Sequence, residues 1–193
     1  LTKAVFDDAD MEKALEGLLA AKFRGAGQTC VCANRVYVQN GIADKFVERF
    51  NKLVGERMVA GDVAAIHTTL GPLITRKARE KVERLVQDAQ RKGANVVAGG
   101  KRSDSDPQTF FPATILDNMT PDMEASHEEL FGPVVAFYRF GNEEELFRMA
   151  NDSEVGLASY VYTDKLAQGW RAAELLQSTS RALTPIKRIA NNW

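Results

Sequence analysis

The run TRKAREKVERLVQDAQRKGANVVAGG, residues 75–100, decides the fold class. Val82, Leu85, Val86 and Ala89 recur at helical spacing, so one apolar face is predicted for a helix over Thr75 to Lys92. Gly93 stands where a helix stops, and the strand expected at Asn95 to Ala98 follows almost at once. Working outward, Asp10 is placed to cap a helix through Met11, Leu15, Leu18 and Leu19 that ends near Gly25. Arg35 to Gln39 (RVYVQ) reads as a buried strand, and Ala43 to Glu56 as a helix with Phe46, Phe50, Leu53 and Val54 inward. Ala60 to Leu73 reads as a loop, as does the polar stretch Lys101 to Gln108. Further strands are expected near Ala113 to Leu116, Val134 to Phe140 and Ala158 to Tyr162, and helices at Glu143 to Ala150 and Lys165 to Gln177. Strands of continuous apolar residues alternating with helices predict an α/β fold: a mainly parallel sheet with helices on both faces. In such sheets ligands are expected at the carboxyl ends of the strands.

The 193 residues are 45% hydrophobic and 26% charged, which fits one globular domain with a sizeable core. Twenty-five Lys and Arg against 26 Asp and Glu leave a formal charge of −1, so no general attraction to nucleic acid or an anionic membrane is expected. No apolar run approaches the ~20 residues that cross a bilayer, and Leu1 to Asp10 lack the plan of a secretory signal, which reads as a cytosolic protein. Two cysteines, Cys30 and Cys32, make no disulfide framework, and His67 and His127 lie too far off in sequence to suggest structural zinc.

One segment points to chemistry. In Phe23-Arg24-Gly25-Ala26-Gly27-Gln28-Thr29-Cys30 a thiol follows a helix and a glycine-rich bend, where it can be presented to a cleft with N–H groups near its sulfur. Cys30 is therefore a candidate nucleophile, although cysteine is also a common small core residue. Gly25-x-Gly27 is no dinucleotide fingerprint: it lacks the third glycine and follows a helix instead of a strand.

Gly27-Gln28-Thr29-Cys30, preceded by Phe6-Asp7-Asp8-Ala9-Asp10 and followed by Cys32-Ala33-Asn34-Arg35, resembles the nucleophile segment of the aldehyde dehydrogenases. The likeness continues in order through Gly71-Pro72-Leu73, Gly99-Gly100, Phe110 to Thr114, Glu128-Glu129-Leu130-Phe131-Gly132-Pro133, Asn151-Asp152 and Gly156-Leu157-Ala158, covering roughly Val5 to Leu176. It implies that the Cys30 thiolate attacks an aldehyde, that hydride passes to NAD or NADP, and that water releases a carboxylic acid from the thioester. The Cys30 N–H is a candidate oxyanion donor. The resemblance further implies that Glu129 contacts the nicotinamide ribose and that Phe131 lies against the nicotinamide region. Without it, Glu129 reads as one charge of an acidic patch with Glu124 and Glu128.

Arg24, six residues before Cys30, occupies a place where relatives acting on neutral aldehydes commonly carry an aromatic residue. A guanidinium there can pair with a carboxylate at the far end of a substrate, which points to succinate semialdehyde dehydrogenases, as does the run Cys30 to Arg35. The other reading is a helix-terminal Arg offsetting the helix dipole. Cys32 is either an inert buried neighbour or a redox partner that closes a strained, easily reduced disulfide with Cys30.

Three parts of the family pattern are missing. An upstream nucleotide-binding half would carry a cofactor-steadying Lys, an oxyanion-holding Asn and a water-activating Glu. The expected organisation is a thiol-bearing catalytic domain over residues 1–176 and an atypical tail over 177–193, inactive alone and prone to form a homo-oligomer through apolar surface left uncovered. Rival readings are a dehydrogenase for glutarate semialdehyde or an uncharged aldehyde, and a catalytically dead remnant serving as an assembly module.

Overall fold

The computed structural model describes residues 2–61, 64–103, 107–153, 156–178 and 180–184. Seven strands form one sheet: β1 (Thr2–Val5), β2 (Arg35–Gln39), β3 (Asn95–Ala98), β4 (Thr114–Asp117), β5 (Val134–Phe140), β6 (Ala158–Tyr162) and β7 (Ser180–Thr184), in the order β3-β4-β5-β2-β1-β6-β7. Every pairing is parallel except that of edge strand β3 with β4. The helices are α1 (Met11–Phe23), α2 (Asn40–Arg57), α3 (Arg76–Arg91), α4 (Glu143–Asn151) and α5 (Leu166–Leu175). Three start on side-chain caps: Asp10 accepts from the Lys13 N–H, Thr75 from Ala78 and Asn142 from Glu145.

Strand alternation sorts the helices onto two faces. Val36 and Val38 point one way, where Phe46 and Phe50 of α2 pack edge-on against Phe137 at 6.0 and 5.7 Å and Phe23 of α1 stacks on Phe50 at 6.4 Å. Arg35 and Tyr37 point the other way. The Arg35 guanidinium donates to the carbonyls of Met149, Ala150 and Asp152, and the Tyr37 hydroxyl to Met149, fastening the end of α4. Glu143 of α4 binds Gln168 and Arg171, which sets α5 beside it. The expected layering, a mainly parallel sheet with helices on both faces, is what forms.

Two strands were not expected. β1 is short and carries Thr2 and Lys3, yet it lies between β2 and β6 and is buried throughout. Lys3 is fully buried with no hydrogen-bond partner for its amine among the described residues, and that amine lies over the Tyr162 and Tyr160 rings, 4.7 and 5.8 Å from their centroids. Burial lowers its pKa to about 7. β7 falls in the stretch taken as an atypical tail; it runs parallel to β6 from Ala158↔Ser180 to Tyr162↔Thr184 and extends the sheet. The rest of that tail, 185–193, lies outside the described residues.

Candidate active site

Helix α1 ends in a left-handed turn in which Gly25, Ala26 and Gly27 take φ of 57°, 55° and 76°. The turn reverses the chain and brings Cys30 to the surface just ahead of β2. Gly27 is indispensable to the approach, since a Cβ there would sit 2.0 Å from the carbonyl oxygen of Gly132. The cysteine loop is thereby seated against the segment that precedes β5. Gln28 braces it from a third side: its amide oxygen accepts from the Ile74 N–H at 2.9 Å and its amide nitrogen donates to the Gly25 carbonyl at 3.1 Å.

Asn34 makes the same junction from inside. Its side-chain oxygen accepts the Leu130 N–H at 3.0 Å and its nitrogen donates to the Glu128 carbonyl at 3.3 Å, so Glu129 lies between two tethered residues. Glu129 is exposed and enters no ion pair with a described residue. The acidic-patch reading fails on its neighbours, because Arg84 binds both Glu124 and Glu128 and Lys81 also pairs with Glu128. The Arg84 guanidinium, with Lys81, holds the Glu128 carboxyl below its usual pKa. Phe131 takes φ 47°, a left-handed conformation that costs a non-glycine residue energy, and leaves 39% of its surface exposed. A groove of about 600 Å³ runs beside this segment between Glu128 and Thr75, Ala78, Lys81 and Arg84 of the α3 region.

The cysteines part company. Cys30 is exposed, whereas Cys32 is buried with its sulfur 2.9 Å from the Thr29 hydroxyl and 3.6 Å from the Lys22 carbonyl. Arg24 is exposed at the C-cap of α1 and makes no ion pair with a described residue, a position compatible with either the substrate or the dipole reading. Sequence reasoning missed Lys22, whose fully buried amine has no hydrogen-bond partner among the described residues. Burial brings its pKa down to about 8, against the opposing charges of Cys32 and Glu129. His67 and His127 are both exposed.

One expectation about position is overturned. Cys30 precedes β2, Glu129 and Phe131 precede β5, and Leu157 precedes β6, so these residues gather at the amino ends of the parallel strands, not the carboxyl ends. The physical reason is local: the left-handed turn and the Asn34 tether organise the loops entering the strands.

A model of the aldehyde dehydrogenase family matches residues 2–182. The chain belongs to the aldehyde dehydrogenase family. The match is wider than the Val5 to Leu176 read from motifs, and it takes in β1 and most of β7. Among relatives, the mitochondrial succinate-semialdehyde dehydrogenase of Arabidopsis thaliana is 50% identical over 173 residues, covering 90% of this chain and 32% of that protein. The crystal structure of a succinate-semialdehyde dehydrogenase from Burkholderia pseudomallei superposes with a TM-score of 0.91 at 43% identity, over 94% of this chain and 37% of that one. A betaine aldehyde dehydrogenase from Staphylococcus aureus, solved with NAD+, gives 0.87 at 34% identity over 94% and 36%. The chain thus spans about a third of the length of the curated relatives it matches. Within this aldehyde dehydrogenase segment, an exposed thiol, an exposed carboxylate and a partly exposed aromatic ring are held on two loops locked together.

Proposed function

We propose that this chain is the nucleophile-bearing part of a succinate semialdehyde dehydrogenase, in which Cys30 attacks the aldehyde carbon. The observation that carries this is the docking of the Cys30 loop on the Glu128–Pro133 segment, by Gly27 against Gly132 and by Asn34 to Glu128 and Leu130. Attack gives a thiohemiacetal on the Cys30 sulfur, whose oxyanion needs aimed donors, the Cys30 N–H among them. Loss of hydride leaves a thioester on Cys30, open to water. NAD or NADP, when bound, supplies the hydride acceptor. The residues present suit such a group: Glu129 is exposed and in no ion pair with a described residue, as a ribose hydroxyl would require, and Phe131 offers an aromatic face. Arg24, exposed and in no ion pair with a described residue, is assigned to the carboxylate of succinic semialdehyde. Identity of 50% to succinate-semialdehyde dehydrogenases supports that choice of aldehyde. Cys32, buried with its sulfur against Thr29 and Lys22, is first of all a packed neighbour of the nucleophile loop, and a redox pairing with Cys30 is the second reading, tested by peroxide below. A homo-oligomer is part of the proposal, and so is a cytosolic site of action, tested by fractionation because several relatives are named as mitochondrial.

The first test mixes the purified chain with succinic semialdehyde and either cofactor and follows NAD(P)H. No turnover together with selective alkylation of Cys30 is the expected result. Sustained turnover would overturn the view that the water-activating Glu must come from further chain, and an inert Cys30 would favour an assembly module.

A further inference from the structure

The peptide between the two cysteines is held from the sheet. Tyr160, on β6, donates its hydroxyl hydrogen to the Val31 carbonyl at 3.2 Å. It stands opposite Lys3 in the β1–β6 register, so its ring rises from the same face as Lys3 and Tyr162, beneath α1. The ring is half-buried, with the Lys3 amine 5.8 Å from its centroid, and burial raises its pKa with the charges of Cys32 and Cys30 adding to the effect. Around Val31 the remaining ties pull on Cys32 alone: its N–H donates to the Thr29 carbonyl at 3.1 Å, and its sulfur meets the Thr29 hydroxyl and the Lys22 carbonyl. Val31 itself is 39% exposed, too open for packing to fix its peptide plane.

We propose that Tyr160 is a positioning residue for the nucleophile loop: its hydroxyl clamps the Val31 carbonyl so that the Cys30 thiol is turned outward while the Cys32 thiol stays inside. The proposal rests on Cys30 being the nucleophile only for its functional meaning, since the clamp itself is a geometric relation. The Val31 carbonyl belongs to the Val31–Cys32 peptide, so the hydroxyl anchors the chain midway between the two cysteines and limits how far the loop can shift as a whole. Without the hydroxyl the ring still fills its place over Lys3, but the anchor is released.

The test compares the full chain with Tyr160→Phe, and with Tyr37→Phe as a control that loses a hydroxyl bonded to Met149 on the opposite face. Amide hydrogen exchange is read in a peptide spanning residues 28–34, and iodoacetamide alkylation is read separately at Cys30 and Cys32 by mass spectrometry. Expected for Tyr160→Phe is exchange faster by roughly three- to ten-fold within 28–34, the scale of one neutral hydrogen bond. The ratio of Cys32 to Cys30 alkylation should rise by a similar factor. Unchanged exchange in that peptide, an unchanged ratio, or an equal response to Tyr37→Phe overturns the proposal. If Cys30 is unreactive in every chain, the nucleophile assignment fails and exchange alone decides the role of Tyr160.

Discussion

The side-chain oxygen of Asn34 accepts the backbone N–H of Leu130 across 96 residues of sequence, at 3.0 Å in a buried setting. With the second bond to the Glu128 carbonyl, one amide joins the two loops that carry every assigned site residue except Arg24. Asn34→Ala leaves a buried N–H without a partner and should cost roughly 1–3 kcal/mol. Urea unfolding measures this; the variant should also lose protection from exchange over residues 128–131. A change below about 0.5 kcal/mol contradicts the tether.

Gly27→Ala should be among the most damaging substitutions in the chain. Its Cβ would collide with the Gly132 carbonyl, and its φ of 76° is unfavourable to any side chain. A loss of roughly 3 kcal/mol or more is expected in the unfolding midpoint. At Gly25, also left-handed, an added Cβ meets only the Thr29 methyl at 3.6 Å, so Gly25→Ala should cost nearer 1 kcal/mol. Equal effects would show that strain, not the approach of the two loops, governs the turn.

Lys3 makes stability depend on alkaline pH. Its amine titrates near 10.5 when unfolded and about 7 in the folded chain. Between those values the unfolded chain binds the proton and the folded chain does not, so stability rises with pH across that window. The penalty is full below about 7 and gone above about 10.5. Lys3→Met, which keeps the volume, should therefore be more stable than the natural chain at pH 6, by at most roughly 5 kcal/mol, with the gap closing toward pH 10.5. Melting temperatures of both chains at several pH values test this; parallel curves would sink it.

Arg24→Ala, made in an enzyme of the relatives' full length carrying this segment, should lower kcat/KM for succinic semialdehyde by roughly 10- to 100-fold. Neutral aldehydes of similar size should be affected by about two-fold or less. Uniform loss across both classes would assign Arg24 to the helix end instead.

Peroxide should oxidise exposed Cys30 first, giving a sulfenic acid that the Cys32 thiol attacks with loss of water. The prediction is a loss of Cys30 alkylation that a dithiol reductant restores. Loss without restoration, or no loss at all, rejects Cys32 as a partner.

Helix α3 was legible because its apolar residues keep one face over four turns and Gly93 ends it; the expected Thr75 to Lys92 became Arg76–Arg91. β1 was not, since a lysine in four residues defeats any apolar pattern, and its burial comes from neighbours more than thirty residues away. SRALT at β7 is equally poor in strand-forming aliphatics. The glycine bend made Cys30 a candidate but suited a small core cysteine equally well, and only the family resemblance singled it out. Asn34 and Tyr160 could not be singled out, because what they do depends on Leu130 and Val31, 96 and 129 residues distant. Lys22 offered a clue that passed unread: it lies seven residues after Leu15 and four after Leu18, on the inward stripe of α1.

Gathering at the amino ends of the strands has an electrostatic cost. In a βαβ layer the helices finish at that edge, so it is their carbonyl-rich ends, the negative poles, that look toward Cys30. α1 does so directly, terminating six residues upstream at Arg24. For a nucleophile at Cys30, as proposed above, the helix dipoles therefore offer no stabilisation to an oxyanion formed at this edge. Compensation has to arrive from individually aimed donors, and each one displaced removes a share that no neighbouring dipole can make good.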